Sequence, residues 1–290
     1  MILAFDIGGS RIRAAVWGAT GLHALGEVAT PTGQTGDFVA AIKGFAVRNV
    51  KGIAISIAGV VDPVTGIGKV ANIPAIDGLA LGPELERATG LPVLVLNDAD
   101  CFALAEALRG AGRGRGSVFG VILGTGVGGG LVMGGRVVTG AGGYAGEWGH
   151  GPVIRGAHAF VCGCGQVGCV DTVGGARGLE RLHLAETGEV AEAEAIVAAW
   201  IAGEAAAGET MALWRELVAG PLAMAVNLVG ADVVPVGGGL SRAAGLVRYL
   251  DEAVRVRTLR RTAGPLLVAA ECGADAGLLG AALAGAAEWG

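Results

Sequence analysis

Aromatic side chains and thiols are scarce in this 290-residue chain: Phe, Trp and Tyr make up 4% of it, and there are five cysteines and four histidines. A small, odd number of cysteines excludes a complete disulfide framework and fits a reducing compartment. Basic tracts are missing too. Lys plus Arg is 21 against 26 for Asp plus Glu, a net of −5. Outside Arg113, Arg115 and the group Arg255, Arg257, Arg260 and Arg261, nothing offers an electrostatic footprint for nucleic acid. That group has helical spacing with apolar partners and predicts a solvated helix face. The opening "MILAFDIGGS" lacks a basic leader and Asp6 interrupts its apolar run. The expectation is a cytoplasmic protein with neither signal peptide nor membrane anchor. The 20 uncharged residues from Gly116 to Gly135 have the length of a membrane span, but nine are glycine, which supplies little apolar surface and resists a helix. They predict a hairpin. No Gly-Lys-Ser/Thr stands at P-loop spacing, which excludes a P-loop nucleotidase.

What is abundant is glycine, 55 residues of it, and the length accommodates two domains with a core in each. Apolar β-rich runs alternate with Ala/Leu segments at helical period. The strands "MILAFDI" and "IRAAVWG" precede a helical "GDFVAAIKGFAV"; the strand "KGIAISIAG", a helical "LGPELERATG" and the strand "PVLVLND" follow. That order is α/β. From about residue 117 the pattern restarts with "SVFGVILG" and "GGLVMGG". A helix-rich stretch runs from about Thr172 to Val229, then "VVPVGGG", more helix, "PLLVAA" and a closing helix. Both halves open on strand, glycine turn and strand ("DIGGS", "LGTGVGG"). The echo reads either as a duplicated architecture with a ligand cleft between two lobes or as two ordinary hairpins. Pro235 removes a ladder donor from "VVPVGGG", so that strand is expected to be peripheral or locally irregular. Gly124 to Gly129 spell G-x-G-x-x-G after a strand. A dinucleotide turn must open a helix, however, and "LVMGGRVVTG" reads as further strand, so the Rossmann reading fails.

"LNDAD" ends an apolar strand and leads into a helical "CFALAEALRG". A carboxylate at a strand's carboxyl end lies where open α/β sheets bind ligands, which makes Asp98 a candidate base. The position equally suits a helix cap, filled by Asp98 or Asp100. Asn72, in "VANIP", reads as a turn residue. Cys162-x-Cys164-x4-Cys169 together with His150 offers the Cys3His set of a closed, tetrahedral zinc site, and the glycines between the cysteines let a tight turn gather the sulfurs. His158 is an alternative fourth ligand, and a redox cluster an alternative chemistry. Glu147, three residues before His150, would be held in place by a metal-pinned loop, close to whatever that loop covers.

Taken together, "DIGGSRIRAAVW", "NDADCFALAEA", "GVILGTGVGGGLVMGG", "GEWGH", "CGCGQVGC" and "VGGGLS" resemble the successive motifs of the ROK family, in order and nearly end to end. The resemblance is strongest to its bacterial N-acetylglucosamine kinases, with glucokinases next. It implies an α/β, two-lobed actin-like ATPase (ribonuclease-H-like) fold with an interdomain cleft. The small domain would be residues 1–113 with a C-terminal helix at about 275–290, and the large domain residues 114–274. It implies ATP-dependent phosphorylation of the 6-hydroxyl of N-acetylglucosamine, with glucose, another hexose or N-acetylmannosamine as alternatives. ATP, Mg2+ and a structural Zn2+ would be the cofactors and a homodimer the assembly.

By the same resemblance Asp98 accepts the proton of the sugar hydroxyl, a task for which an ordinary carboxylate suffices when its geometry is right. Asp6 would orient Mg2+ through water. Gly8, Gly9, Ser10 and Arg11, with Gly124, Thr125 and Gly126, would hold the phosphates, and Gly237, Gly238 and Gly239 would pass close to the adenosine. Gly59, Asn72, Asn97, Asp98, Glu147 and His150 would read the sugar. His150, Cys162, Cys164 and Cys169 would hold zinc, leaving the second ring nitrogen of His150 for the sugar. Three positions depart from the pattern: Asp100 stands where Asn is usual, Ser10-Arg11 where Thr-Lys is usual, and Asp171 where Glu is usual. Asp171 is shorter by one methylene, roughly 1.3 Å, so it meets the sugar through water or misses it. The step from His150 to Cys162 leaves room for an inserted loop. A ligand-sensing repressor of this family carries a helix-turn-helix ahead of "DIGG"; with five residues before Asp6, the expectation is a kinase rather than a repressor. Asp98 itself argues against a catalytically dead sugar-binding module.

Overall fold

In the computed structural model, which describes residues 1–70 and 72–290, the apolar runs assemble into two five-stranded sheets. The first is built around β1 (Ile2–Ile7). β2 (Arg11–Gly18) returns antiparallel to it through the "DIGGS" turn and β3 (Gly21–Ala29) adds an outer strand. After α1 (Thr35–Lys43), β4 (Gly52–Ile57) lies parallel to β1 on its other side. The short pair β5 (Val60–Val61) and β6 (Gly68–Lys69) and then α2 (Leu81–Thr89) lead to β7 (Val93–Asn97), which completes the order β3-β2-β1-β4-β7. All six residues of β4 are buried, as a strand covered on both faces requires. Phe38 and Ile42 of α1 join Phe5, Ile53 and Ile55 in one core cluster.

α3 (Asp98–Arg109) leaves β7 directly, and β8 (Ser117–Leu123) and β9 (Val127–Met133) form the predicted glycine-rich hairpin, followed by β10 (Arg136–Val137). The G-x-G-x-x-G turn therefore opens a strand. A helical block follows: α4 (Asp171–Gly174), α5 (Ala176–Thr187), α6 (Ala193–Ile201) and α7 (Ala205–Val229). By length and hydropathy α7 is the one helix among the described residues that could cross a membrane, yet its Met211, Trp214, Val218 and Leu222 are fully buried in the second core. β11 (Val234–Gly237), α8 (Leu246–Arg255), β12 (Leu267–Ala269) and α9 (Ala276–Trp289) end the chain, and the second sheet runs β10-β9-β8-β11-β12. α9 returns to the first sheet, packing on β1 and β4, and α3 lies between the halves, against α9 on one side and β8 and β9 on the other.

One expectation is met in part, one fails, and one strand is new. The strand containing Pro235 is interior, flanked by β8 and β12. Its irregularity is real nonetheless: pairing to β8 occurs at Val118–Val233 and resumes at Val121–Val236, with the missing proline N–H in the gap. The arginine group is no continuous helix face, because α8 ends at Arg255. Arg255 bonds Thr262 and Arg260 bonds the carbonyl of Ala231, tying the following turn to its neighbours. β3 was not anticipated, since its residues are almost all exposed and show no apolar alternation.

Candidate active site

The cap question at "LNDAD" is settled by Asn97. Its backbone is extended (φ −60°, ψ 146°), and its side-chain oxygen accepts from the N–H of Ala99 at 2.7 Å and of Asp100 at 3.3 Å. The Asn97 amide donates to the carbonyl of Gly59 at 3.0 Å, fastening the helix start to the end of β4. Asp98 is thus the first helical residue and is left for other work, its Oδ1 accepting from Ala99 N at 2.9 Å. The positive end of the α3 dipole favours its anion, but other forces prevail. Burial, then the charge of Asp6, push its carboxyl up to about 6, and Glu147 adds to the shift. Asp98, Asp6 and Glu147 therefore share one electrostatic site.

Asp6 enters it from β1. It pairs in register with Ser56 of β4 and Arg13 of β2. Ser56 Oγ donates to its Oδ1 at 2.9 Å, and an Arg13 nitrogen lies 3.7 Å from Oδ2. Burial raises this carboxyl, with Ser56 and Arg13 working against it. Arg13 also bonds Asp275, just ahead of α9. Neither Ser56 nor Arg13 was anticipated; only the strand register brings them to Asp6.

The β1–β2 turn carries Gly8, Gly9 and Ser10 just after the strand that holds Asp6. Gly8 N donates to Arg11 O at 3.0 Å, and Asn72 packs against Gly9. The Arg11 side chain goes elsewhere, pairing with Glu27 of β3 at 2.7 Å on an exposed face. Across the cleft, the β8–β9 turn holds Gly124, Thr125 and Gly126. Asp171 Oδ1 accepts from Val127 N at 2.8 Å and lies where a Gly126 side chain would be. One carboxylate oxygen of Asp171 thus serves the hairpin turn. Gly238, at φ +91°, presses its Cα on the Leu123–Gly124 backbone, a contact that a side chain would forbid. Gly124, Thr125 and Gly239 line a common cavity of about 610 Å³ with α6 and Arg242.

The loop between β10 and α4 carries the remaining groups. Trp148 stacks edge-on to Phe119 and donates from Nε1 to Gly128 O at 3.0 Å, anchoring the loop on β9. His150 points Nδ1 toward Cys162 Sγ, 3.7 Å away, and Nε2 toward Glu147 Oε2, 3.8 Å away. Burial raises the Glu147 carboxyl, with His150 opposing.

The ligand atoms of His150, Cys162, Cys164 and Cys169 all lie within 4.8 Å of one another, and Cys164 and Cys169 sulfurs are 3.6 Å apart. A tetrahedral zinc with bonds of about 2.3 Å separates its sulfurs by roughly 3.8 Å, so the four residues fit that ion. Gly151 N donates to Cys169 Sγ at 3.3 Å, and a backbone N–H from Gln166 brings the Cys164 thiol down to about 7. His158 is not among them: it bonds Glu186 at 2.8 Å.

Two facing α/β sheets with a crossing helix, a shared carboxylate site and two opposed glycine turns define a two-lobed protein of the actin-like ATPase fold. The ROK family model matches residues 2–286, and the chain belongs to the ROK family. It is 36% identical over 294 residues to the N-acetyl-D-glucosamine kinase of Pasteurella multocida strain Pm70, covering 96% of this chain and 97% of the relative. Among solved structures it superposes on a ROK hexokinase from Thermus thermophilus with a TM-score of 0.87 and 33% identity, covering 97% and 96% of the two chains. A ROK family glucokinase from Streptomyces griseus in complex with glucose and AMPPNP gives a TM-score of 0.78 at 29% identity, covering 98% of each.

Proposed function

We propose that this protein is an ATP-dependent sugar kinase that phosphorylates the 6-hydroxyl of N-acetylglucosamine. The observation that carries this reading is Asp98. It is a carboxylate released from capping duty, fixed at a helix start, and poised near neutrality beside Asp6 and Glu147. Asp98 takes the hydroxyl proton as the sugar oxygen attacks the terminal phosphorus of ATP, and the bond from that phosphorus to the β,γ-bridging oxygen breaks, ADP leaving with the electron pair. At a value of about 6 it is mostly ionised at pH 7 and still basic enough to share a proton in the transition state.

Asn97 and Gly59 keep the helix start in place, and Asn72, Glu147 and His150 orient the other sugar hydroxyls. Asp171, with one oxygen engaged by Val127, reaches the sugar through water. Gly8 to Ser10 and Gly124 to Gly126 offer backbone N–H groups to the phosphates, and Gly237 to Gly239 border the adenosine. The side chain of Arg11 plays no part, being paired to Glu27. Asp6 suits a water-mediated Mg2+, which supplies charge neutralisation on the phosphates. His150, Cys162, Cys164 and Cys169 suit a structural zinc, which supplies rigidity to the loop carrying Glu147. A cytoplasmic homodimer, with domains at 1–113 plus about 275–290 and at 114–274, belongs to the same reading.

Kinship to an N-acetyl-D-glucosamine kinase along 96% of the chain favours that sugar over glucose. The test is ADP release by the zinc-loaded protein with N-acetylglucosamine, glucose and N-acetylmannosamine. The highest kcat/KM is expected for N-acetylglucosamine. Turnover on none of a full hexose and N-acetylhexosamine panel defeats the reading.

A further inference from the structure

Asp100 is buried to 4% exposure, and its Oδ1, itself out of contact with solvent, has no hydrogen-bond partner. A buried carboxylate in that condition is costly, whereas the neutral acid is tolerated. Its surroundings sharpen the point. Asp98 stands two residues earlier on the same turn and Glu147 faces it from the loop after β10. Asp62 borders the same cavity of about 290 Å³, which runs along β7. The next residue on the helix, Cys101, is fully buried and its thiol is pushed well up, so it stays uncharged. β4, β7, β8 and β9 carry no charged side chain at all, β10 offers only the exposed Arg136, and α9 only Glu288 at its far end. Among the described residues, the charges that act on Asp100 are Glu147 and Asp98, both negative, and no donor reaches its Oδ1.

We propose that Asp100 is a positioning residue that works as an uncharged carboxylic acid, holding the first turn of α3 and thus Asn97 and Asp98 in register with Glu147, and that loss of its proton turns the sugar site off. The proposal rests on the kinase reading above. Burial, then the charges of Glu147 and Asp98, push the Asp100 carboxyl up to about 7, above the value of about 6 for Asp98. Near neutrality, then, Asp98 is mostly ionised and ready to accept a proton, while about half of the Asp100 carboxyls still carry theirs, and more do so as pH falls. Once ionised, Asp100 is repelled by both neighbours and drawn toward the cavity beside β7. There is no slack for this to happen harmlessly, because the β9 backbone touches the same turn at Gly130.

The experiment compares the pH dependence of kcat/KM for N-acetylglucosamine in the wild-type protein, Asp100→Asn and Asp100→Leu. The wild type should give a bell, its acid limb from Asp98 and its alkaline limb from Asp100. With a value of about 7 the protonated fraction falls about tenfold from pH 6 to pH 8. Both variants should lose the alkaline limb and keep the acid one. Thermal unfolding provides a second readout that needs no activity. A raised carboxyl stabilises the fold below its unfolded value, and the contribution is lost as pH rises through about 7. The advantage of Asp100→Asn in Tm over the wild type should therefore grow between pH 5 and pH 8. An alkaline limb that persists in both variants, or a Tm difference that does not change with pH, overturns the proposal. Wild-type protein that turns over no sugar at any pH instead defeats the kinase reading, and the positioning role falls with it.

Discussion

At the scale of single residues, the site depends on which polar group takes which task at the start of α3. Asn97, Asp98 and Asp100 stand within four residues, and the cap falls to neither of the two aspartates that the sequence put forward. Asn97 provides it, because its short amide satisfies two helix N–H groups and still donates to Gly59. Asp98 is thereby exempt and Asp100 is enclosed. Replacing Asp98 by Asn should lower kcat by about 100- to 10,000-fold, the range for a positioned general base, while leaving the sugar dissociation constant within about threefold. Rapid-quench turnover and calorimetric sugar titration measure the two. A variant with near-normal kcat would remove Asp98 from the base role. The residue types and their spacing were legible in the sequence, and so was the doubt between cap and base. That doubt could be resolved only by the backbone angles and by the neighbours that strand pairing supplies.

Elements bring their own constraints. β9 and α3 approach so closely that a methyl group on Gly130 would lie 2.9 Å from Asp100 Cα and nearer still to the carbonyl of Ala99. Gly130→Ala should cost about 1–3 kcal/mol by overpacking and lower kcat/KM by displacing the first turn of α3. Urea unfolding and turnover report the two effects together, and an unperturbed stability would show that the contact is looser than described. The loop from residue 138 to 170 is held at one end by Trp148 on Gly128 and at the other by the cysteine cluster. Cys164→Ser is expected to lower bound zinc per chain and to weaken sugar binding more than nucleotide binding, since Glu147 and His150 lie on this loop and the glycine turns do not. Elemental analysis with paired titrations checks it; full zinc content would reject the ligand set. The Cys-x-Cys-x4-Cys spacing announced this cluster, but the choice of His150 over His158 came only with the Glu186 partner that occupies His158.

The whole molecule has a joint where the chain passes from β12 in the second sheet to α9 on the first. Glu106, at 0% exposure near the end of α3, accepts from Ala111 N at 3.0 Å, Glu271 N at 2.9 Å and Cys272 N at 2.7 Å. One carboxylate therefore clamps the crossing helix to the connection between lobes. Glu106→Ala should destabilise the protein by about 2–3 kcal/mol, because three part-buried backbone N–H groups lose their shared acceptor at once. Glu106→Gln should recover part of it. Chemical denaturation separates the variants, and equal stability of all three would show that the clamp is idle. None of this was anticipated from the sequence: a glutamate inside an Ala-rich helix carries no mark of partners 165 residues away.

By itself the sequence determined what local rules govern. These were the α/β alternation, the hairpin across the glycine-rich stretch, the exclusion of P-loop and dinucleotide turns, the thiol cluster, and the motif order that marks the family. All but the last follow from periodicity or from chemistry confined to a few neighbouring residues, and the motif order speaks through resemblance to a known family. Tertiary structure alone decided what depends on contacts between distant segments: the Ser56 and Arg13 partners of Asp6, the diversion of Arg11 to Glu27, the interior place of β11, and the enclosure of Asp100 among like charges. Pairing register and burial set these. Both arise from the packing of two sheets against one crossing helix, and neither is encoded in any short stretch of chain.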